Sequence, residues 1–148
     1  MTIKLANPVS AANLSWVPLR QGISFKPLHF AADGYSLQLR VEPGNTIPLH
    51  RHTGEVNAYN LSGHREIVTT GEQVGPGDFV YEPAGNVDSW RCVGDEPCIV
   101  QISLKGRVEY LDERGHVTSY TDAATARAAY FDWCHANAAT PCPSLAGE

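Results

Sequence analysis

From Ser15 onward, apolar and polar positions alternate with a period of two, and turn residues interrupt the alternation at short intervals. Tyr35 to Glu42 is the clearest case, with Leu37, Leu39 and Val41 on one face and Ser36, Gln38 and Arg40 on the other. Period-two segments of this length predict half-buried strands, and their even spacing predicts a sandwich or barrel. Further strands are expected at Trp16–Leu19, Ile23–Phe25, Ile47–His52, Val56–Ser62, His64–Thr69, Asp78–Glu82, Val87–Val93 and Cys98–Leu104. Val108–Leu111 and His116–Tyr120 read as a last hairpin around Asp112-Glu113-Arg114-Gly115. Only one stretch has helical spacing. Thr121 or Asp122 can cap it, and Ala126, Ala129, Tyr130 and Trp133 recur on one face. The expected organisation is one all-β domain over residues 1–148, with an irregular arm over 1–14, a terminal helix over 121–137 and a loose tail over 138–148.

Composition narrows the function classes. The chain has 148 residues, 43% of them hydrophobic and 18% charged, which fits one packed domain rather than a disordered chain. Thirteen glycines and ten prolines match a fold rich in tight turns. Eleven basic residues against sixteen acidic leave a net charge of −5, and no segment concentrates Lys or Arg. A nucleic-acid partner therefore has no electrostatic footprint. No apolar run reaches the roughly 18 residues needed for a membrane helix, and the first residues lack the apolar stretch of a secretion signal. A cytoplasmic location with no membrane partner is expected. Cys92, Cys98, Cys134 and Cys142 lack zinc-thiolate spacing and are expected as reduced thiols.

The chemistry is concentrated in two segments. In the first, His50 and His52 stand two residues apart in a strand, so both imidazoles project from one face. The second, Gly77 to Asp88, ends in a carboxylate just after the turn Pro83-Ala84-Gly85. If the barrel sets the two segments side by side, Asp88 joins the histidines. Two neutral nitrogens and one carboxylate on one side of an ion form the facial set that non-haem Fe(II) uses to take up substrate and dioxygen together.

The spacing Gly44-x5-His50-x-His52, followed by Tyr59-Asn60-Leu61-Ser62-Gly63, resembles the first motif of the cupin superfamily. Gly77-x5-Pro83-x-Gly85-x2-Asp88 resembles the second. Within the cupins the chain is most similar to the dihydroxyacetophenone dioxygenase group, to acetylacetone-cleaving dioxygenases and to the cupin half of zinc-dependent anti-sigma factors. The resemblance implies a double-stranded β-helix (jelly-roll) barrel, often a homodimer, with a divalent metal inside. The enzymes of the group use Fe(II) and dioxygen to cleave a carbon–carbon bond beside a carbonyl.

Carried over by position, the resemblance makes His50 and His52 metal ligands, with Asp88 standing where the family has a histidine. The glutamate common after the second histidine is replaced by Val56, with Glu55 and Asn57 on either side. A further family carboxylate would fall near Thr69 or Thr70, where there is no acid. Trp90 shares a face with Asp88. Glu55, Asn57, Tyr59, Tyr81 and Gln101 are the other candidates for the surroundings of a small-molecule pocket. His29, His64, His116 and His135 lie outside both motifs and are expected to bind nothing.

The expected activity is a metal-dependent oxygenase acting on a small ketone or diketone, with Fe(II) as the ion and Zn(II), Ni(II) or Mn(II) as alternatives. A non-enzymatic metal- or small-molecule-binding cupin is the rival, and a metal-free isomerase the third reading. The anti-sigma role is disfavoured, since 148 residues leave no room for a separate zinc-binding domain.

Overall fold

Period-two alternation becomes twelve strands in the computed structural model, which describes Ile3 and residues 5–146. The strands are β1 (Val17–Arg20), β2 (Ile23–Phe30), β3 (Gly34–Val41), β4 (Thr46–His52), β5 (Val56–Ser62) and β6 (His64–Ile67). They continue as β7 (Gln73–Val74), β8 (Phe79–Glu82), β9 (Val87–Val93), β10 (Cys98–Lys105), β11 (Val108–Leu111) and β12 (Val117–Thr121). All pair antiparallel, in two six-stranded sheets with orders β1-β2-β3-β10-β5-β8 and β12-β11-β4-β9-β6-β7. The fold class is the one expected, a two-sheet β barrel with, among the described residues, one α-helix near the C-terminus.

The inward faces of the two sheets meet in an apolar core that includes Phe25, Val41, Val56 and Val100, each at most 1% exposed. Removing such side chains from water stabilises the fold by roughly 1.5–3 kcal/mol apiece.

The helix α1 (Ala123–Ala136) starts where the sequence indicates. Asp122 Oδ1 accepts from the Thr125 backbone N–H and Thr125 Oγ1 accepts from the Asp122 N–H, a reciprocal cap. Ala126, Tyr130 and Cys134 form its buried face, which packs on β1 and β2.

Two expectations need correction. The strand β7 is too short to leave a periodic signal, and it exists because Arg65 and Glu66 pair with Val74 and Gln73. The tail does not trail off. Leu145 is 3% exposed, the Cys142 N–H donates to Tyr130 Oη, and Ser144 is hydrogen-bonded to Asn7 and Pro8. Buried Leu145 and these hydrogen bonds, with one from Arg127 to the Ala146 carbonyl, hold residues 142–146 against the helix and the N-terminal arm. No helix among the described residues is long and apolar enough to cross a membrane. The four cysteines are free thiols.

Candidate functional site

The site begins with a slip in strand register. Along β4, Ile47 pairs with Trp90 of β9 and His50 pairs with Asp88, so Pro48 and Leu49 together stand opposite Ser89. One extra residue reverses the inward-outward phase of everything after it. Ile47 and His50, three residues apart, therefore both face inward, and His52 follows at i+2. Pro48 is the sequence mark of this irregularity, because proline cannot donate to a ladder. Ser89 Oγ closes the gap by donating to Ile47 O at 2.9 Å.

Both imidazoles are buried, His50 3% and His52 6% exposed, with ring centroids 4.8 Å apart in an edge-to-face arrangement. His50 Nδ1 lies 2.7 Å from Pro48 O. A carbonyl can only accept, so Nδ1 carries the proton and the Nε2 lone pair is left for another partner. His52 Nδ1 is the one buried side-chain nitrogen or oxygen without a partner among the described residues. Its Nε2 is 3.7 Å from Glu82 Oε2, beyond hydrogen-bonding range. Burial holds both rings neutral. It pushes His52 down to about 4, with the neighbouring His50 acting in the same direction, and it lowers His50 against the pull of Asp88.

The turn before β9 delivers the acid. Gly85 adopts φ +88°, a conformation that strains residues bearing a Cβ, and its N–H donates to His52 O at 2.7 Å. The His52 N–H in turn donates to Asn86 O, so the turn is bonded to the end of β4. Asp88 is thereby set directly opposite His50, buried at 5% exposure. Its Oδ1 accepts from the Ser89 N–H at 2.7 Å, and burial raises its pKa against that bond.

Three further polar residues join this interior, and sequence reasoning missed all of them. Glu82, the last residue of β8, comes from the opposite sheet toward His52 and is held by Asn86 Nδ2 at 2.7 Å. Burial and then Asp88 raise its pKa. Arg65 on β6 is 3% exposed and lies over the Trp90 ring at 4.8 Å, its Nε donating to Oδ1 of buried Asn60 at 3.2 Å. The available signal was phase. Glu82 shares parity with Val80 and Arg65 with Ile67, but acids and arginines in a short strand normally mark the wet face.

The remaining candidates go elsewhere. Trp90 is inside, 5% exposed. Asn57, Tyr59 and Gln101 occupy the outward positions of β5 and β10, because the inward ones are taken by Val56, Ala58, Asn60 and Val100. Glu55 and Asn57 line a shallow outer groove with Ser103 and Lys105, and Tyr81 Oη donates to Glu55. Glu55, Asn57, Tyr59 and Gln101 are thus exposed residues of the outer surface. Tyr81, also outward, borders a cleft of about 190 Å³ that opens onto Glu82 and Asp88 between Thr69–Thr70 and Asn86–Val87. His29, His64, His116 and His135 are exposed.

The donor set suits a divalent ion in chemistry, with two neutral imidazoles and two carboxylates facing one space. It is not drawn together. Among the described residues no three His, Cys, Asp or Glu side chains already converge as a metal site. The His52–Glu82 gap of 3.7 Å is wider than the roughly 3 Å between adjacent ligands of one ion. Ligation through His52 would need Glu82 and Asp88 to turn toward its ring, whose Nδ1 is the atom without a partner among the described residues.

Comparison with known proteins follows the same lines. Residues 7–108 match the family described as the ChrR Cupin-like domain. No curated protein matches the chain. An RmlC-like cupin protein from Ralstonia eutropha JMP134 superposes with a TM-score of 0.85 at 20% identity, over 94% of this chain and 93% of that one. An acetylacetone dioxygenase from Acinetobacter johnsonii gives 0.75 at 17%, over 90% and 95%. The anti-sigma factor ChrR of Rhodobacter sphaeroides, solved in complex with SigE, gives 0.57 at 18%, over 65% and 51%. At these identities the likeness is one of fold.

Proposed function

Because the chain belongs to the ChrR cupin-like family, we propose that it is a metal-dependent cupin oxygenase cleaving a carbon–carbon bond beside a carbonyl in a small ketone. The reading is carried by one observation. Two buried, neutral imidazoles share an interior with two buried carboxylates, and one ring has no partner of its own.

His50, His52 and Asp88 would hold the ion. Fe(II) supplies Lewis acidity toward the carbonyl and one-electron chemistry toward dioxygen. The protein's residues do the rest. Pro48 O fixes the tautomer of His50 and presents Nε2 inward. The Ser89 N–H holds one oxygen of Asp88 and leaves the other to turn toward the histidines. Ile47 and Trp90 wall the site and exclude water from it. The cleft of about 190 Å³ at Glu82 and Asp88 suits a substrate of a few carbons. Glu82, its pKa raised by burial, is placed to take up or return a proton at the substrate's α-carbon.

The test is metal analysis with oxygen uptake. Protein produced with iron should carry about one ion per chain, and His50→Ala or His52→Ala should each lower that content at least tenfold. Iron-grown protein with no stoichiometric metal, and no oxygen uptake on β-diketones, hydroxyacetophenones or small oxo acids, overturns the proposal. A binding cupin without turnover is the second reading, favoured by the lack of a preassembled triad among the described residues. It predicts that Asp88→Ala leaves ligand binding intact, whereas the oxygenase reading predicts loss of turnover.

A further inference from the structure

Arg65 is the interior residue that the proposed chemistry does not use. Its side chain is 3% exposed, its Cζ stands 4.8 Å from the centroid of the Trp90 ring, and it gives one side-chain hydrogen bond among the described residues, from Nε to Asn60 Oδ1. It makes no ion pair there. Both Nη groups are thus left without a carboxylate, although a buried guanidinium stays charged and is costly unless paired. An arginine kept only for packing would be satisfied along its edge. This one has its hydrophobic face covered and its fork open.

Its surroundings share the space of the site. The charge of Arg65 acts on His50, Glu82 and Asp88 alike. On the sheet, Arg65 pairs with Cys92, two residues beyond Trp90, and Trp90 lies two residues beyond Asp88. The sequence of inward side chains therefore runs from His50 and Asp88 past Trp90 to Arg65.

The charge of Arg65 points to the sign of the ligand. A guanidinium without an ion pair among the described residues is a positive charge that a carboxylate neutralises and a neutral ketone does not.

We infer that Arg65 is an anion subsite, whose open Nη fork takes the carboxylate of a small oxo acid with its carbonyl end toward His50 and His52. Trp90 backs the guanidinium and Asn60 holds its Nε, which leaves the Nη groups as its free donors. Bidentate contact of this kind favours a carboxylate over an uncharged group of the same size. The inference rests on the oxygenase reading for the position of the carbonyl and narrows its substrate class from ketones to oxo acids.

Acetoacetate and acetylacetone differ mainly in carrying a carboxylate or an acetyl end, and they are the probes. Zinc-loaded protein is titrated with each by calorimetry, zinc being redox-inert. Acetoacetate should bind at least tenfold more tightly than acetylacetone. Arg65→Met should erase that preference, and Arg65→Lys, which keeps charge and loses the fork, should retain part of it. Equal affinities in the unaltered protein overturn the inference even if Arg65→Met fails to fold. So does a preference that survives Arg65→Met unchanged. Zinc content is read on the same samples. A protein that takes up no ion but still ranks the two ligands through Arg65 sinks the oxygenase reading and leaves the anion subsite standing.

Discussion

Two aromatic residues, one in each sheet of the barrel, met opposite fates. Trp90 on β9 and Tyr59 on β5 both stand mid-strand between alternating neighbours. Trp90 is 5% exposed and packs under Arg65, while Tyr59 is 44% exposed, opposite Phe79 on the outer face of its sheet. The same contrast holds for their surroundings. The interior of β4, β6 and β9 gathers His50, His52, Arg65 and Asp88, whereas the outward side of β5, β8 and β10 carries Asn57, Tyr81 and Gln101. Chemistry at the site thus depends on which residues the strand phase turns inward. One register step reverses every side chain of a strand, and the extra residue in β4 sets the phase that brings the histidines in.

The comparison can be broken most forcefully at Trp90. Trp90→Ala should lower unfolding free energy by about 3–5 kcal/mol, because it opens a cavity and strips the cover from a buried guanidinium. A urea midpoint close to that of the unaltered protein would mean that this interior is not packed as described.

Acid is the next largest perturbation. On unfolding, His52 regains its ordinary pKa of 6.5 from about 4, so the unfolded chain binds a proton that the folded chain refuses. Stability present above pH 6.5 is lost as pH falls toward 4, and the metal-free protein should lose roughly 2 kcal/mol between pH 7 and pH 5 from this residue. His50, lowered by burial, adds in the same direction. Glu82 and Asp88 oppose it, since raised carboxylates favour the folded state most at low pH. Denaturant titrations across this range check the sign, and His52→Gln should flatten the curve. An unchanged curve in that variant would show that the ring is not held neutral by burial.

The smallest effect belongs to the outer face. Tyr59→Ala removes only an exposed cross-strand contact with Phe79 and should cost about 0.2–1 kcal/mol, without altering metal content. A larger loss, or any change in bound metal, would place Tyr59 in the site after all.

Much of this architecture was legible in the chain itself. Alternation at Tyr35–Glu42 and its counterparts is local, so strand positions followed from it to within a few residues. The cap at Asp122 and the turn at Gly85 are equally local, being set by backbone conformation and a neighbouring donor. The i, i+2 relation of His50 and His52 put both rings on one face for the same reason. Which face became interior was decided elsewhere, by pairing between β4 and β9 over nearly forty positions of intervening chain. Glu82 and Arg65 look like solvent residues until an opposite sheet and a stacked tryptophan surround them. Sequence alone settles what is periodic or adjacent. The meeting of two imidazoles with two carboxylates and a guanidinium required the closed barrel, because burial and charge proximity exist only between segments that folding brings together.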